Sequence, residues 1–179
     1  EPNLLRSLKQ AGYQVHWWGK NDLLARESFP DSVTSAQSRS GGMFGPNPYT
    51  LQDPAYHSFL WDPYAGPIEG HSDWANVQAA VEFLESRPTE PFFIYLPLTF
   101  PHCPYSAPTH WHDVVDPDAL PPLRPYGLPD RPAFHEHIRR TRRLDQVEDA
   151  LLRKVNAVYL GMTGFLDEML GRLLDTLEQ

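Results

Sequence analysis

Two short polar clusters, each directly after an apolar or aromatic run, hold the residue types from which a site for an anionic substrate is built. The first, Gly19-Lys20-Asn21-Asp22, follows Tyr13-Gln14-Val15-His16-Trp17-Trp18. The second, Phe100-Pro101-His102-Cys103-Pro104-Tyr105, follows the run Pro91-Phe92-Phe93-Ile94-Tyr95-Leu96-Pro97-Leu98. A lysine ammonium is a compact point charge, and an imidazole can donate to an oxygen or protonate a leaving group. Converging on one cleft, Lys20 and His102 would suit a tetrahedral oxyanion. Convergence requires the two runs to be parallel neighbours, because open parallel sheets bind ligands beyond the carboxyl ends of their strands. Spacing alone leaves the alternative open: a solvated lysine and a loop histidine held by proline packing.

The elements that must position these residues are legible to different degrees. Asn3 is a candidate N-cap, and Leu4, Leu5, Leu8 and Ala11 recur at helical spacing as far as Gly12, a natural C′ residue. Residues 13–18 are short, aromatic and β-prone, and end at Gly19. Residues 25–72 are rich in Gly, Pro, Ser and Asp and show no convincing periodic element; such a length is either functional or mobile, or a solvent-facing excursion. Ser72 or Asp73 is expected to cap the next helix, with Ala75, Val77, Ala80, Val81 and Leu84 as its buried side. The run 91–98, bounded by breakers, predicts a strand buried on both faces. Leu151, Leu152, Val155, Val158, Met162, Phe165, Met169, Leu173 and Leu177 belong to a sustained helical stripe suited to packing on a sheet. Gly161, Gly164 and Gly171 within it mark close approach. The order of helices and strands predicts an α/β sandwich.

Composition narrows the function. The chain has 179 residues, one domain's worth, with 15 Lys+Arg against 23 Asp+Glu and a net charge of −8. That balance argues against nucleic acid as a partner, since phosphates call for a basic face. A single cysteine, Cys103, excludes an intrachain disulfide and a Cys-built zinc cluster. No run reaches the roughly 18 apolar residues of a membrane span, so no membrane partner is expected. The 19 prolines are about twice the average share of ~5%, and require long, stiff loops.

Other signals have plain readings. His110 and His112, and His135 and His137, would share a metal only if each pair lay on a strand; solvated loop histidines are the simpler expectation. His57 and His71 are candidates for lining a substrate pocket. Adjacent residues on an extended loop point apart, so His102 and Cys103 do not read as a catalytic pair, and Cys103 is expected to be a buried or half-buried structural thiol. The run Arg139-Arg140-Thr141-Arg142-Arg143 reads as a solvated helix face with local ion pairs, and as a candidate contact for a polyanionic glycan.

Three segments, in order, resemble the interior of a sulfatase catalytic domain, of the alkaline phosphatase-like superfamily: "LLRSLKQAGYQVHWWGKNDLL", "EPFFIYLPLTFPHCPY" and "VYLGMTGFLDEMLGRLLDTLE". Together they cover about a third of the chain. The resemblance implies a partial alkaline phosphatase-like sandwich, a mostly parallel sheet flanked by helices, with residues 1–179 an internal part of one catalytic domain. It implies hydrolysis of sulfate esters, small-molecule or glycan, by the intact enzyme. Lys20 matches the family lysine that contacts sulfate, and His102 the histidine that contacts sulfate or the leaving-group oxygen. Many members have a histidine where this chain has Asp22. That residue is therefore expected to orient Lys20, accept a substrate hydroxyl, or cap the following segment.

The family's nucleophile, a cysteine in Cys-x-Pro/Ala-x-Arg that matures to formylglycine, has no match here, because Cys103-Pro104-Tyr105-Ser106-Ala107 lacks the arginine. The Asp-Asp pair and the Asp-His/Asn-Gly segment that would hold a divalent cation, with oxygen ligands suited to calcium, are also unmatched. Nucleophile and cation are thus expected outside this segment, and the isolated segment is expected to be inactive. The same scaffold serves phosphonate monoester and phosphodiester hydrolases, and a degenerate member would bind sulfated ligands without turnover; this region does not separate them. It also gives no compartment or oligomeric state.

Overall fold

The computed structural model describes residues 2–38 and 41–179. These form two compact units: the first takes the described residues up to 42, with 67–100 and 167–179, and the second takes 43–66 and 101–166.

The first unit is the α/β part. Helix α1 (Leu4–Gln10) starts as its sequence predicts: the Asn3 side chain accepts the Arg6 N–H at 2.9 Å. Gly12, with φ +92°, turns the chain into β1 (Gln14–Trp18). A single helical turn, α2 (Phe29–Ser32), then leads to β2 (Ser35–Gln37). Strand β3 (Phe92–Tyr95) completes an all-parallel sheet in the order β2-β1-β3. This mixed α/β arrangement, a parallel open sheet flanked by helices, agrees with the partial alkaline phosphatase-like fold expected above.

Strand β1 is central, and its alternation feeds two cores. Val15 and Trp17 pack with Leu5 and Val33, backed by Leu8, Phe29 and Tyr95. Trp18 faces the other way, onto Ala79, Ala80, Phe83 and Leu173. This is the period-2 pattern of a strand covered on both faces.

Two expectations about strands change. Strand β3 is at an edge of the three described strands; its side chains do alternate between the two cores, Phe93 and Tyr95 on one face and Ile94 on the other, but each stays half-buried, so the deepest burial lies on β1 instead. Strand β2 lies inside the stretch read as lacking an element. It pairs through its main chain and through small hydroxyls: the Thr34 Oγ1 accepts the Val15 N–H at 2.9 Å, and the Ser35 Oγ lies 2.7 Å from the His16 Nδ1.

Helix α3 (Ser72–Glu85) is capped by neither Ser72 nor Asp73; His71 occupies the N-cap position. Its buried side includes Val77, Ala80 and Val81 as predicted, but also Ser72, Asp73 and Asn76.

In the second unit, the segment around residues 59–64 runs parallel to 105–108, with bridges Leu60–Tyr105 and Tyr64–Pro108. Much of the supposed loop is therefore packed structure. Helices α4 (Thr109–Asp113) and α5 (Ala133–Thr141) precede α6 (Asp149–Leu177). The stripe on α6 buries Ala157, Val158, Met162 and Phe165 in this unit. Gly161 and Gly164 lie against Trp111 of α4, so they permit helix–helix rather than helix–sheet approach. The carboxyl-terminal part of α6 packs toward the sheet through Leu173.

Candidate active site

Lys20 stands just past the carboxyl end of β1. The Gly19 N–H donates to the Gln37 carbonyl at the end of β2, and the Lys20 N–H donates to the Pro97 carbonyl beyond β3, each at 3.1 Å. The backbone at this point is thus tied to both neighbouring chains. Gly19 has φ +133°, a conformation open to glycine, and a Cβ there would run into the Pro97 carbonyl. The Lys20 side chain is half exposed, and its Nζ pairs with Asp22 Oδ2 at 2.7 Å. Of the three roles open to Asp22, this geometry matches holding Lys20. Capping falls to Asn21, whose Oδ1 accepts the Leu23 and Leu24 N–H groups and whose Nδ2 donates to the Leu24 carbonyl.

His102 belongs to the second unit and is exposed. Its Nδ1 lies 2.5 Å from the Cys103 carbonyl oxygen. A carbonyl only accepts, so Nδ1 carries the hydrogen of this bond. Nε2 is then the ring atom left for a ligand, and it donates only when the imidazole is protonated. Cys103 is a free, half-buried thiol. Downstream of it the chain is fastened within its unit. The Tyr105 N–H donates to the Phe59 carbonyl at 2.7 Å, and the buried Ser106 hydroxyl donates to the Asp62 carbonyl at 2.7 Å while accepting the Gly45 N–H at 3.0 Å. Burial, together with the neighbouring Cys103 and Tyr159, pushes the Tyr105 phenol up, so it is neutral near pH 7.

The residue that sequence reading missed is Asp73, expected as a helix cap and found 2% exposed. Its carboxylate accepts the Thr99 N–H on both oxygens, at 3.1 and 3.0 Å, and the Phe100 N–H on Oδ2 at 2.8 Å. Burial raises its carboxyl above the usual aspartate range, and the two backbone N–H groups pull it back down.

The remaining candidates resolve into structure. His110 and His112 lie on α4 and His135 and His137 on α5, where i and i+2 point to different sides. His112 is not solvated: it is buried, with Nε2 3.2 Å from the Trp61 carbonyl oxygen and Nδ1 3.1 Å from Asp113 Oδ1. His71 is fully buried, edge-on to Phe100, rather than lining a pocket. His57 is half-buried and lies near Arg142. Within the basic run, Glu136 pairs with Arg139 and Arg140 as a local helix network should. Arg143 instead donates to the carbonyls of Leu51, Gln52 and Asp53, a structural clasp.

A family model described as Sulfatase matches residues 1–179. The chain belongs to the sulfatase family. Sulfatases are hydrolases and generally depend on a metal ion. Among the described residues of this sulfatase chain, no three His, Cys, Asp or Glu side chains come together as metal ligands would. Among those residues the donor set does not fit a divalent cation.

Proposed function

We propose that this segment supplies the sulfate-contacting residues of an enzyme that hydrolyses sulfate esters, with the nucleophile and the cation held elsewhere in the intact protein. The observation that carries the reading is Lys20, fixed by its own backbone at the carboxyl end of the central strand in a sulfatase-family chain. Its ammonium offsets charge on the equatorial oxygens of the sulfate group. His102, with Nδ1 engaged on Cys103, offers Nε2 to a sulfate or leaving-group oxygen. In its doubly protonated form the ring donates there and hands over a proton as the ester oxygen departs. Asp22 belongs to the site as the partner of Lys20, keeping the ammonium at the strand end until an anion competes for it. The substrate class is a small-molecule or glycan sulfate ester.

The test is Lys20→Ala and His102→Ala in the intact enzyme, assayed on an aryl sulfate and on the matching phosphate mono- and diesters. Each change is expected to lower kcat for the sulfate ester about 10²–10³-fold, the usual cost of removing one oxyanion donor. Loss of affinity without any turnover in the parent would make the protein a binder of sulfated ligands. Faster turnover of the phosphate diester than of the sulfate by the parent would move the reaction to phosphodiesters. If neither rate nor affinity responds to either substitution, the two residues are not the site.

A further inference from the structure

The arginines of the basic run do not share one environment. Arg140 and Arg142 are exposed, whereas Arg139 is half-buried and lines a cavity of the second unit, about 470 Å³ in volume. That is within the range of small-molecule sites, and about three times the ~150 Å³ that lodges one benzene ring. The walls are mainly apolar: Tyr126 and Leu128 come from the segment before α5, Ile138 from α5 itself, and Leu144 and Leu152 from beyond it. Tyr126, Leu128 and Ile138 are exposed, so the described chain leaves much of this apolar wall against water.

The charges at the wall do not balance. Arg131 and Arg139 face one acid, Glu136, with His135 as a further polar group. Glu136 is largely committed elsewhere: its Oε1 accepts the Arg140 Nε at 2.6 Å and comes only within 3.5 Å of the Arg139 Nη1. The Arg139 Nε is buried and has no hydrogen-bond partner among the described residues. A buried N–H without an acceptor carries an uncompensated loss of hydration, larger when the group is charged. The guanidinium is nonetheless held in place, its Cζ 4.4 Å from the centroid of the Tyr126 ring. A fixed planar fork with an unmet N–H, set beside an apolar wall, lacks an acceptor anion, and its geometry matches a carboxylate met side-on.

We propose that this cavity binds an organic monoanion with an apolar body of one or two rings, its carboxylate or sulfonate on Arg139 and its body against Tyr126, Leu128 and Ile138. The inference is independent of the roles given to Lys20 and His102. A polyanionic glycan suits the cavity less, because it would set hydroxyls against apolar walls and bring more charge than the two arginines can meet.

The experiment is calorimetric titration of the intact protein with 2-naphthoate, with the uncharged 2-naphthalenemethanol, and with a heparin hexasaccharide. Naphthoate is expected to bind with a Kd on the order of 10⁻⁴ M, and the alcohol about tenfold or more weaker. Arg139→Met keeps an apolar stem and removes the donors. It is expected to cost naphthoate about 10–10²-fold in affinity, the scale of a charged hydrogen bond, and to leave the alcohol within about twofold. Ala133→Trp, at an exposed position lining the cavity, fills it without touching the charge, and is expected to weaken both ligands. It carries the test if Arg139→Met does not fold. Arg142→Gln removes a charge of the same run from outside the cavity, and is expected to change neither affinity by more than about twofold.

Equal affinity of the parent for the two naphthalenes would overturn the proposal, as would binding of neither. Naphthoate binding abolished by Lys20→Ala and spared by Arg139→Met would overturn it too, placing the anion at Lys20 and leaving the reading of that residue intact. Hexasaccharide bound in preference to naphthoate, with Arg139→Met and Arg142→Gln costing equal affinity, would make the run a glycan-binding surface instead.

Discussion

The carboxyl ends of β1 and β3 are held by opposite means. Past β1, the main chain does the holding: Gly19 and Lys20 each donate an N–H to a carbonyl of a neighbouring chain, and the Lys20 side chain stays half exposed. Past β3, a side chain does it: the buried Asp73 carboxylate collects the N–H groups of Thr99 and Phe100. A main-chain clamp is indifferent to side-chain identity except where the backbone conformation demands glycine. A carboxylate clamp depends on one side chain and on where its oxygens stand. The first should therefore fail through backbone conformation at Gly19, and the second through loss or displacement of the acceptor oxygens at Asp73.

The largest effect expected from the β1 side is on folding. Gly19→Ala places a methyl group at φ +133° against the Pro97 carbonyl, combining a strained backbone with a main-chain overlap. The loss expected is about 3 kcal/mol, the upper end for a single strained position. Gly12→Ala is the control, since Gly12 also has positive φ, +92°, but nothing lies within 4 Å of its absent Cβ. It should lose only the conformational part, about 1–2 kcal/mol. Urea unfolding of the two variants of the intact protein gives the difference. Equal losses would mean that the Pro97 carbonyl yields, and that the β1 end is not clamped as described.

How much of this was legible in the sequence follows from what holds each part. Helix α1, β1 and the long α6 announce themselves, because their apolar spacing and end signals are local. Lys20 and His102 stand out as candidates for the same reason, each following a run that reads as a strand. Strand β2 was not legible: Ser35-Ala36-Gln37 has no alternation, and its place comes from backbone pairing with β1. Nor was the packing of residues 59–64 along 105–108, which depends on carbonyls and on the buried Ser106 hydroxyl, both far apart in sequence from their partners. Asp73 shows the same limit most clearly. At the second residue of a helix an aspartate reads as a cap or a dipole partner, and only the fold brings Thr99 and Phe100 to it, 26 and 27 positions later. Strand β3 was legible in part: its apolar run reads correctly as a strand covered on both faces, while its neighbours decide how deeply it is buried.

Two buried titratable groups, His16 on β1 and Asp73, respond to pH with opposite sign. His16, on β1, is buried beside Trp18 and Phe83; its Nδ1 meets the Ser35 hydroxyl and its Nε2 has no hydrogen-bond partner among the described residues. Burial holds its pKa below the ordinary 6.5. As pH falls through that ordinary value, the unfolded chain binds a proton that the folded chain refuses, so stability drops until the folded ring itself titrates. Asp73 behaves in the reverse way. Its carboxyl is raised above 3.8, so the cost of keeping it ionised is absent below that value and felt as pH rises through its folded value. Chemical denaturation between pH 7 and pH 5 should therefore show His16→Gln with a shallower acid loss than the parent. An unchanged slope would mean that the His16 ring is solvated enough to protonate in place.

The smallest effect belongs to Asp22, whose pair with Lys20 is largely exposed on both sides and therefore screened. As the partner of a sulfate-binding ammonium, its carboxylate competes with the substrate rather than helping it through the transition state. Asp22→Asn keeps an acceptor oxygen for the ammonium but removes the negative charge. KM for an anionic ester should fall by a few-fold with kcat within twofold, and the gain should shrink as ionic strength rises and the Debye length contracts below about 10 Å. A tenfold or larger drop in kcat at constant KM would give Asp22 the other role, orienting Lys20 for the transition state. The β1 end would then rely on a charged side chain as the β3 end does, and the contrast between a main-chain clamp and a carboxylate clamp would no longer hold.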